Sequence, residues 1–172
     1  GLGGGPLIDD LVLGWIHLGE GDMRRATETF EAVAADDGLA GIALVHLALA
    51  RAAVGDFEGA DAILSGAAFG PIPTTERSLK AHADILVQLD RRDDALALLA
   101  RFTTAVPDPT LVELQARIAA LEAVPPYGFI TTPQEGLAEV FYTIARALGG
   151  EGGSTTLPLL YTRAAHSIDP GH

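Results

Sequence analysis

The sequence predicts an all-α fold in which antiparallel helix pairs stack side by side. Two observations support this. The segment 21–30, GDMRRATETF, is answered by segment 55–64, GDFEGADAIL, at a constant offset of 34 residues. Apolar residues recur at the three- and four-residue spacing of amphipathic helices, without the alternation of strands. A repeat of this length is typical of a solenoid, in which each unit buries its apolar face against its neighbours.

Composition sets limits on the possible function classes. The chain has 172 residues, of which 48% are hydrophobic and 20% charged, enough for one folded domain. Its net charge of −12 disfavours nucleic acid as a partner, because a polyanion would be repelled. Without cysteines the chain has no disulfides and no thiolate metal sites. The most apolar run, 39–50, is too short to span a bilayer, so we expect no membrane span in this segment.

The two ends of the sequence indicate a piece of a longer protein. The chain opens on GLGGGP, with no initiator Met and no signal-peptide pattern, and it stops at DPGH. The absence of Asn, the single Lys and the abundance of Ala, Gly, Leu, Asp and Arg suggest a bacterial genome of high GC content. The compartment, bacterial cytoplasm or periplasm, stays open.

The first two helix pairs follow from apolar spacing and turn residues. A helix is predicted over 7–19, followed by a turn over 19–22. A second helix follows and ends at 36–38, and one of its faces points inward. That inward face consists of Ala26, Phe30 and Val33. The second pair repeats this pattern, with helices at 42–54 and 57–67 around the turn at 55–56.

The remaining helices are predicted in the same way. Thr74 or Thr75 is expected to cap a helix that includes 79–89, and a turn at 90–93 leads to its partner helix. Further helices are expected at 111–121, 135–148 and 159–168, which brings the total to nine. Between them lie an apolar loop at 124–133, which must pack on something, and a turn at 149–154.

The repeating units resemble the tetratricopeptide repeat family, whose 34-residue helix–turn–helix carries a W-x2-L-G-x2-Y, A-x3-F, P pattern. The first unit matches it at Leu13-Gly14, Ala26 and Phe30. The corresponding residues of the second unit are Leu47-Ala48, Ala60, Leu64 and Ala67, and those of the third are His82-Ala83, Ala95, Leu99 and Phe102. The first family aromatic is absent; Asp10, Leu44 and Leu79 stand at that position.

The resemblance implies a right-handed helical-hairpin solenoid and a single domain over 1–172. Its repeats would be 7–40, 41–74, 76–109 and 138–171, with an irregular insert at 110–137. In this family the first helix of each pair lines a concave groove in which ligands lie. Carried over to this chain, the groove positions include ten residues selected as candidates, namely Leu11, Trp15, Leu18, Val45, Leu49, Arg77, Lys80, Asp84, Tyr142 and Arg146.

One end of this expected groove is apolar and the other is charged. We expect it to bind an unidentified protein or peptide, as an extended segment or a helix, with Trp15 as an aromatic anchor. The competing interpretation is that upstream repeats, or the loop at 124–133, cover the apolar end.

The function expected from the sequence is therefore a non-catalytic interaction scaffold, with no cofactor and no metal. His17, His46, His82 and His166 lie on separate predicted helices without metal-binding spacing, so they are expected to pack or to face solvent. A first alternative is a homo-oligomerisation module, such as a homodimer formed through the apolar strip. A second is a small-ligand binder or an enzyme, which would require ionisable groups that converge in a pocket.

Overall fold

The computed structural model describes residues 5–36, 38–103, 108–149 and 156–169, and its regular structure there is entirely α-helical. The nine helices of these ranges are α1 (Gly5–Gly19), α2 (Met23–Ala34), α3 (Ala40–Ala53), α4 (Phe57–Leu64), α5 (Glu76–Gln88), α6 (Arg92–Thr103), α7 (Pro109–Ala119), α8 (Pro133–Gly149) and α9 (Thr156–Ile168). The all-α prediction is confirmed. The predicted turn at 149–154 lies almost wholly outside the described residues, as does the chain beyond 169.

The turns inside the first three pairs share one backbone conformation. Gly21, Gly55 and Asp90 have positive φ angles of 80°, 84° and 58°. Each donates its N–H to the carbonyl three residues earlier, and the next residue donates to the carbonyl five residues before itself. This is the left-handed stop that commonly ends a helix, which Gly adopts without cost and Asp tolerates. The repeated Gly-Asp pair therefore marks where the first two helix pairs fold back, and Asp90 has the role of the glycine in the third.

Polar caps set the start of several helices. Asp22 and Asp56 each accept a hydrogen bond from the backbone N–H three residues on, at 2.9 Å. Of the two predicted caps of α5, Thr74 and Thr75, it is Thr75 that caps the helix, and it forms a reciprocal capping box with Ser78. Helix α4 ends at Leu64, three residues before the predicted end, because Gly66 turns the chain with a φ of 82°.

Each of the helices α1 to α6 packs on the next helix in the chain, and α1, α3, α5 and α7 also meet one another in that order. Ala26, Ala60 and Ala95, the three small residues expected at close helix crossings, are all fully buried. Helix α5 contributes to two cores. Ala81 and Ile85 belong to the first, with α1 to α4 and α8, whereas the second joins α5 to α6 and α7.

The last pair does not extend this stack. Within the described residues α8 packs on α1, α3 and α9, and it makes no contact with α7. A repeat at 138–171 stacked next in line was expected; instead the pair folds back to the beginning of the chain. Helix α8 also starts at Pro133 rather than Glu135, because Thr132 and Glu135 cap each other's backbone N–H across the first turn.

Helix α8 covers the apolar end of the expected groove. Trp15 and Leu11 have no exposed surface, and Leu18 and Leu49 are also buried in the first core. Gly136 of α8 lies so close to Trp15 that a methyl group there would overlap the six-membered ring of the indole. The loop at 124–133 adds Ile130 to the same core. The cover is therefore part of the chain itself, mainly a helix and only partly the loop.

This close approach predicts the effect of a larger side chain. Gly136→Leu is expected to lower the free energy of unfolding by about 1–3 kcal/mol, because the added atoms force α8 away from Trp15. Urea denaturation would measure the change. Gly128→Ala is the control, since only one heavy atom lies near the added methyl group, at 3.9 Å. Equal stability of Gly136→Leu and wild type would contradict this packing.

Candidate functional site

A cavity of about 610 Å³ lies in the part of the expected groove that α8 does not cover. It lies between α3, the linker that precedes α5, the start of α5, and α8; we call it the central cavity. Its wall includes six of the ten predicted groove residues, two from each of α3, α5 and α8: Val45, Leu49, Arg77, Lys80, Tyr142 and Arg146.

The other four predicted residues lie elsewhere. Leu11, Trp15 and Leu18 are core residues beneath α8, so Trp15 cannot act as an anchor for a partner while α8 is in place. Asp84 faces a separate cavity of about 540 Å³ between α5, α7 and the loop. There it accepts a hydrogen bond from the Gly128 N–H at 3.3 Å, and burial raises the pKa of its carboxyl group.

An ion pair links α5 to α8 across the central cavity. The guanidinium of Arg77 donates to both carboxylate oxygens of Glu139, through Nε at 2.9 and 2.8 Å and also through Nη2. Glu139 is only 3% exposed. A buried carboxylate is costly unless it is paired and hydrogen-bonded, and this geometry satisfies both oxygens. The pair thus holds α8 at a set distance from α5.

Two aromatic rings hold the Arg77 side chain in position. Its guanidinium carbon lies 5.1 Å from the ring centroid of Phe129, in the loop, and 4.7 Å from that of Tyr142 on α8. These distances are within the range of cation–π contacts. The loop at 124–133 therefore contributes directly to the cavity wall through Phe129.

A second buried polar contact lies in the α3 wall. The Trp15 indole N–H donates to Nδ1 of His46 at 3.1 Å, and the Phe30 ring stacks on the imidazole at an interplanar angle of 16°. Burial lowers the pKa of His46 to about 4, opposed only partly by the nearby charge of Glu139. The ring is therefore neutral at pH 7, and since Nδ1 accepts, its proton is on Nε2.

The polar rim of the cavity contains further charges. Lys80 pairs with Glu76 one turn away on α5, at 2.5 Å. Arg146, on the exposed side of α8, has no carboxylate within 4.0 Å among the described residues. The cavity therefore combines an apolar wall with a cluster of ionisable groups.

Two residues of the site, His46 and Phe129, were absent from the predicted groove positions. Glu139 falls at a groove position of the last repeat, beside Tyr142 and Arg146, but its burial was not predicted. His46 was expected as a packing residue, and its apolar neighbours on α3 are consistent with that. Glu139 becomes buried only because α8 folds back, which no local pattern shows. A detectable signal was present for α8 itself: Thr132-Pro133-Gln134-Glu135 has the capping-box spacing with Pro in the first turn.

No protein-family model, curated protein or solved structure matches this chain. None of the described helices combines the length and hydropathy needed to cross a bilayer. Across the described ranges, no three His, Asp or Glu side chains are grouped so as to hold a metal ion.

The buried imidazole predicts a pH dependence of stability. Because the folded pKa of His46 is about 4 against an ordinary 6.5, the unfolded chain binds the proton first as pH falls. Stability from this group is complete above pH 6.5 and decreases below it, by about 2 kcal/mol between pH 7 and pH 5. Urea denaturation of wild type and His46→Gln across this range would isolate the term, and parallel pH profiles would contradict it.

The ion pair predicts an asymmetric double-mutant cycle. Arg77→Met removes the guanidinium that pairs with the buried carboxylate of Glu139 and is expected to cost about 3–5 kcal/mol. Adding Glu139→Leu should restore most of this loss, since an apolar pair of similar size needs no desolvation. The control is Lys80→Met, whose more exposed pair should contribute about 0–1 kcal/mol. A double variant no more stable than Arg77→Met would contradict the assignment.

Proposed function

We propose that this chain is a non-catalytic interaction scaffold that binds a peptide segment of another protein in the central cavity. The observation that carries the proposal is the convergence of six expected groove residues, from three helices, on one open cavity. Helix α8 covers the apolar end of the groove, so a partner would enter where α5 and α8 are apart rather than along the whole surface.

We also propose that α1 to α6 are degenerate tetratricopeptide-like repeats. Three features support this: the helix-ending turns centred on Gly21, Gly55 and Asp90, the buried alanines at the equivalent crossing positions, and the packing of each helix on the next. In the first unit Gly14 leaves room for the Phe30 ring, since any added methyl group would contact its edge. This gives a physical reason for the glycine of the Leu-Gly pair.

A binding role fits the chemistry of the cavity better than catalysis. The carboxylate of Glu139 is held by Arg77, and Nδ1 of His46 accepts a hydrogen bond from Trp15. Each of these groups thus has a structural partner, whereas a general base needs a free lone pair directed at a substrate. We therefore propose that these residues shape the cavity.

The structure favours one of the two alternatives over the other. The apolar strip that suggested a homodimer is covered by α8 of the same chain, which removes the observation behind that idea. The central cavity, in contrast, brings ionisable groups together in a volume typical of small-molecule sites. A small-ligand binder is therefore the second candidate function.

Selection from a random peptide library displayed on phage tests the first proposal. Peptides enriched on the wild-type chain are expected to bind Val45→Trp at least about tenfold more weakly, since the indole fills the cavity. Val112→Trp, at an exposed position of α7, is the matched control and should bind normally. The proposal is wrong if no peptide is enriched or if Val45→Trp binds the enriched peptides as well as wild type does.

A further inference from the structure

The central cavity is locally positive in a strongly acidic chain. Its wall contains three cations, Arg77, Lys80 and Arg146, and two carboxylates, Glu76 and Glu139. With His46 neutral, one positive charge is in excess, whereas the whole chain has a net charge of −12. A locally positive cavity on an acidic protein attracts an anionic ligand, and one excess positive charge is neutralised by a ligand with a single negative charge.

Two of these cations retain donors that the described chain does not use. Arg77 bonds to Glu139 through Nε and Nη2, which leaves its Nη1 group without a hydrogen bond among the described residues. Arg146 has no ion pair there at all. Guanidinium groups with free donors are well suited to planar anions such as carboxylates.

The imidazole of His46 provides an independent observation, because one of its nitrogens lacks a hydrogen-bond acceptor. It is 1% exposed, it belongs to the cavity wall, and its Nε2 has no hydrogen-bond partner among the described residues. Since Trp15 donates to Nδ1, Nε2 carries the proton and is a donor. A buried donor without an acceptor destabilises the fold, and a ligand oxygen that accepted from it would offset this cost.

The remaining wall is apolar and continuous. It comes from one face of α3 and from the linker, whose Pro residues keep it extended beside the cavity. These apolar lining residues are Ile42, Val45, Leu49, Phe69, Pro71 and Ile72. An alkyl chain placed against them would be removed from water over most of its length, which is the main driving force for apolar ligands.

We infer that the central cavity binds a small amphiphile with one carboxylate on an apolar chain, of the medium-chain fatty acid class. The carboxylate takes the free donors of Arg77 and Arg146, on the side of the cavity where the N–H of His46 is buried, and the chain lies against α3 and the linker. This inference rests on the small-ligand form of the proposed function. One excess positive charge matches a monocarboxylate better than a dianion such as a phosphate monoester.

Calorimetric titration of the full chain with decanoate, below its micellar concentration, tests the inference. Decan-1-ol, which has the same chain and no charge, is the matched ligand. Decanoate is expected to bind about tenfold more tightly than decan-1-ol. Arg146→Gln should remove most of this difference, whereas Arg163→Gln, at an exposed position of α9, should leave it unchanged. Val45→Trp should weaken both ligands at least about tenfold.

The outcomes separate the charge assignment from the cavity itself. If decan-1-ol binds as tightly as decanoate, or Arg146→Gln behaves like Arg163→Gln, the monocarboxylate assignment is wrong. Loss of binding in Val45→Trp would then still support the cavity as a ligand site. If neither ligand binds wild type, the inference and the small-ligand candidate both fail, while the peptide proposal is decided separately by the phage selection.

Discussion

The ion pair between Arg77 and Glu139 is the interaction on which the candidate site depends. Within the described residues α5 and α8 do not approach each other closely, and the long side chain of Arg77 bridges the gap between them. The carboxylate of Glu139 has to be paired because it is buried, and Phe129 and Tyr142 hold the guanidinium in place. The cavity lies where this bridge joins two helices that otherwise remain apart.

The position of α8 also determines how much of the expected groove is open. Its apolar end is occupied by α8, which inserts Gly136 against Trp15 in the way a bound helix would lie in a groove. The chain thus covers part of the expected groove with its own helix, and the central cavity lies in the part that α8 does not cover. A ligand of the kind proposed above would be held in a confined pocket rather than along a long groove.

The sequence was sufficient for the helices and their turns but not for the position of the last pair. Helix spacing, the Gly-Asp turns and the Thr75 cap are local signals, and the structure follows them closely. Six of the residues that the repeat register places on the expected groove line the central cavity. The burial of Trp15 and Glu139 depends on where α8 packs, which local periodicity does not encode. The degenerate repeat pattern in 138–171 predicts continued stacking. In the structure Gly136, near the capped start of α8, allows this helix to pack closely on Trp15 of α1 instead.

The position of α8 has a consequence for how the chain folds. Helices α1 to α7 meet mainly their neighbours in sequence, and such local contacts form quickly. Trp15 and Gly136 are 121 positions apart, so their contact closes a very long loop, which is entropically costly. This contact stabilises the chain only once the surface of α1 and α3, on which α8 packs, has formed. The stack is therefore expected to form first and α8 to join it last. The central cavity, which needs α8 as a wall, would be among the final features of the native structure to appear.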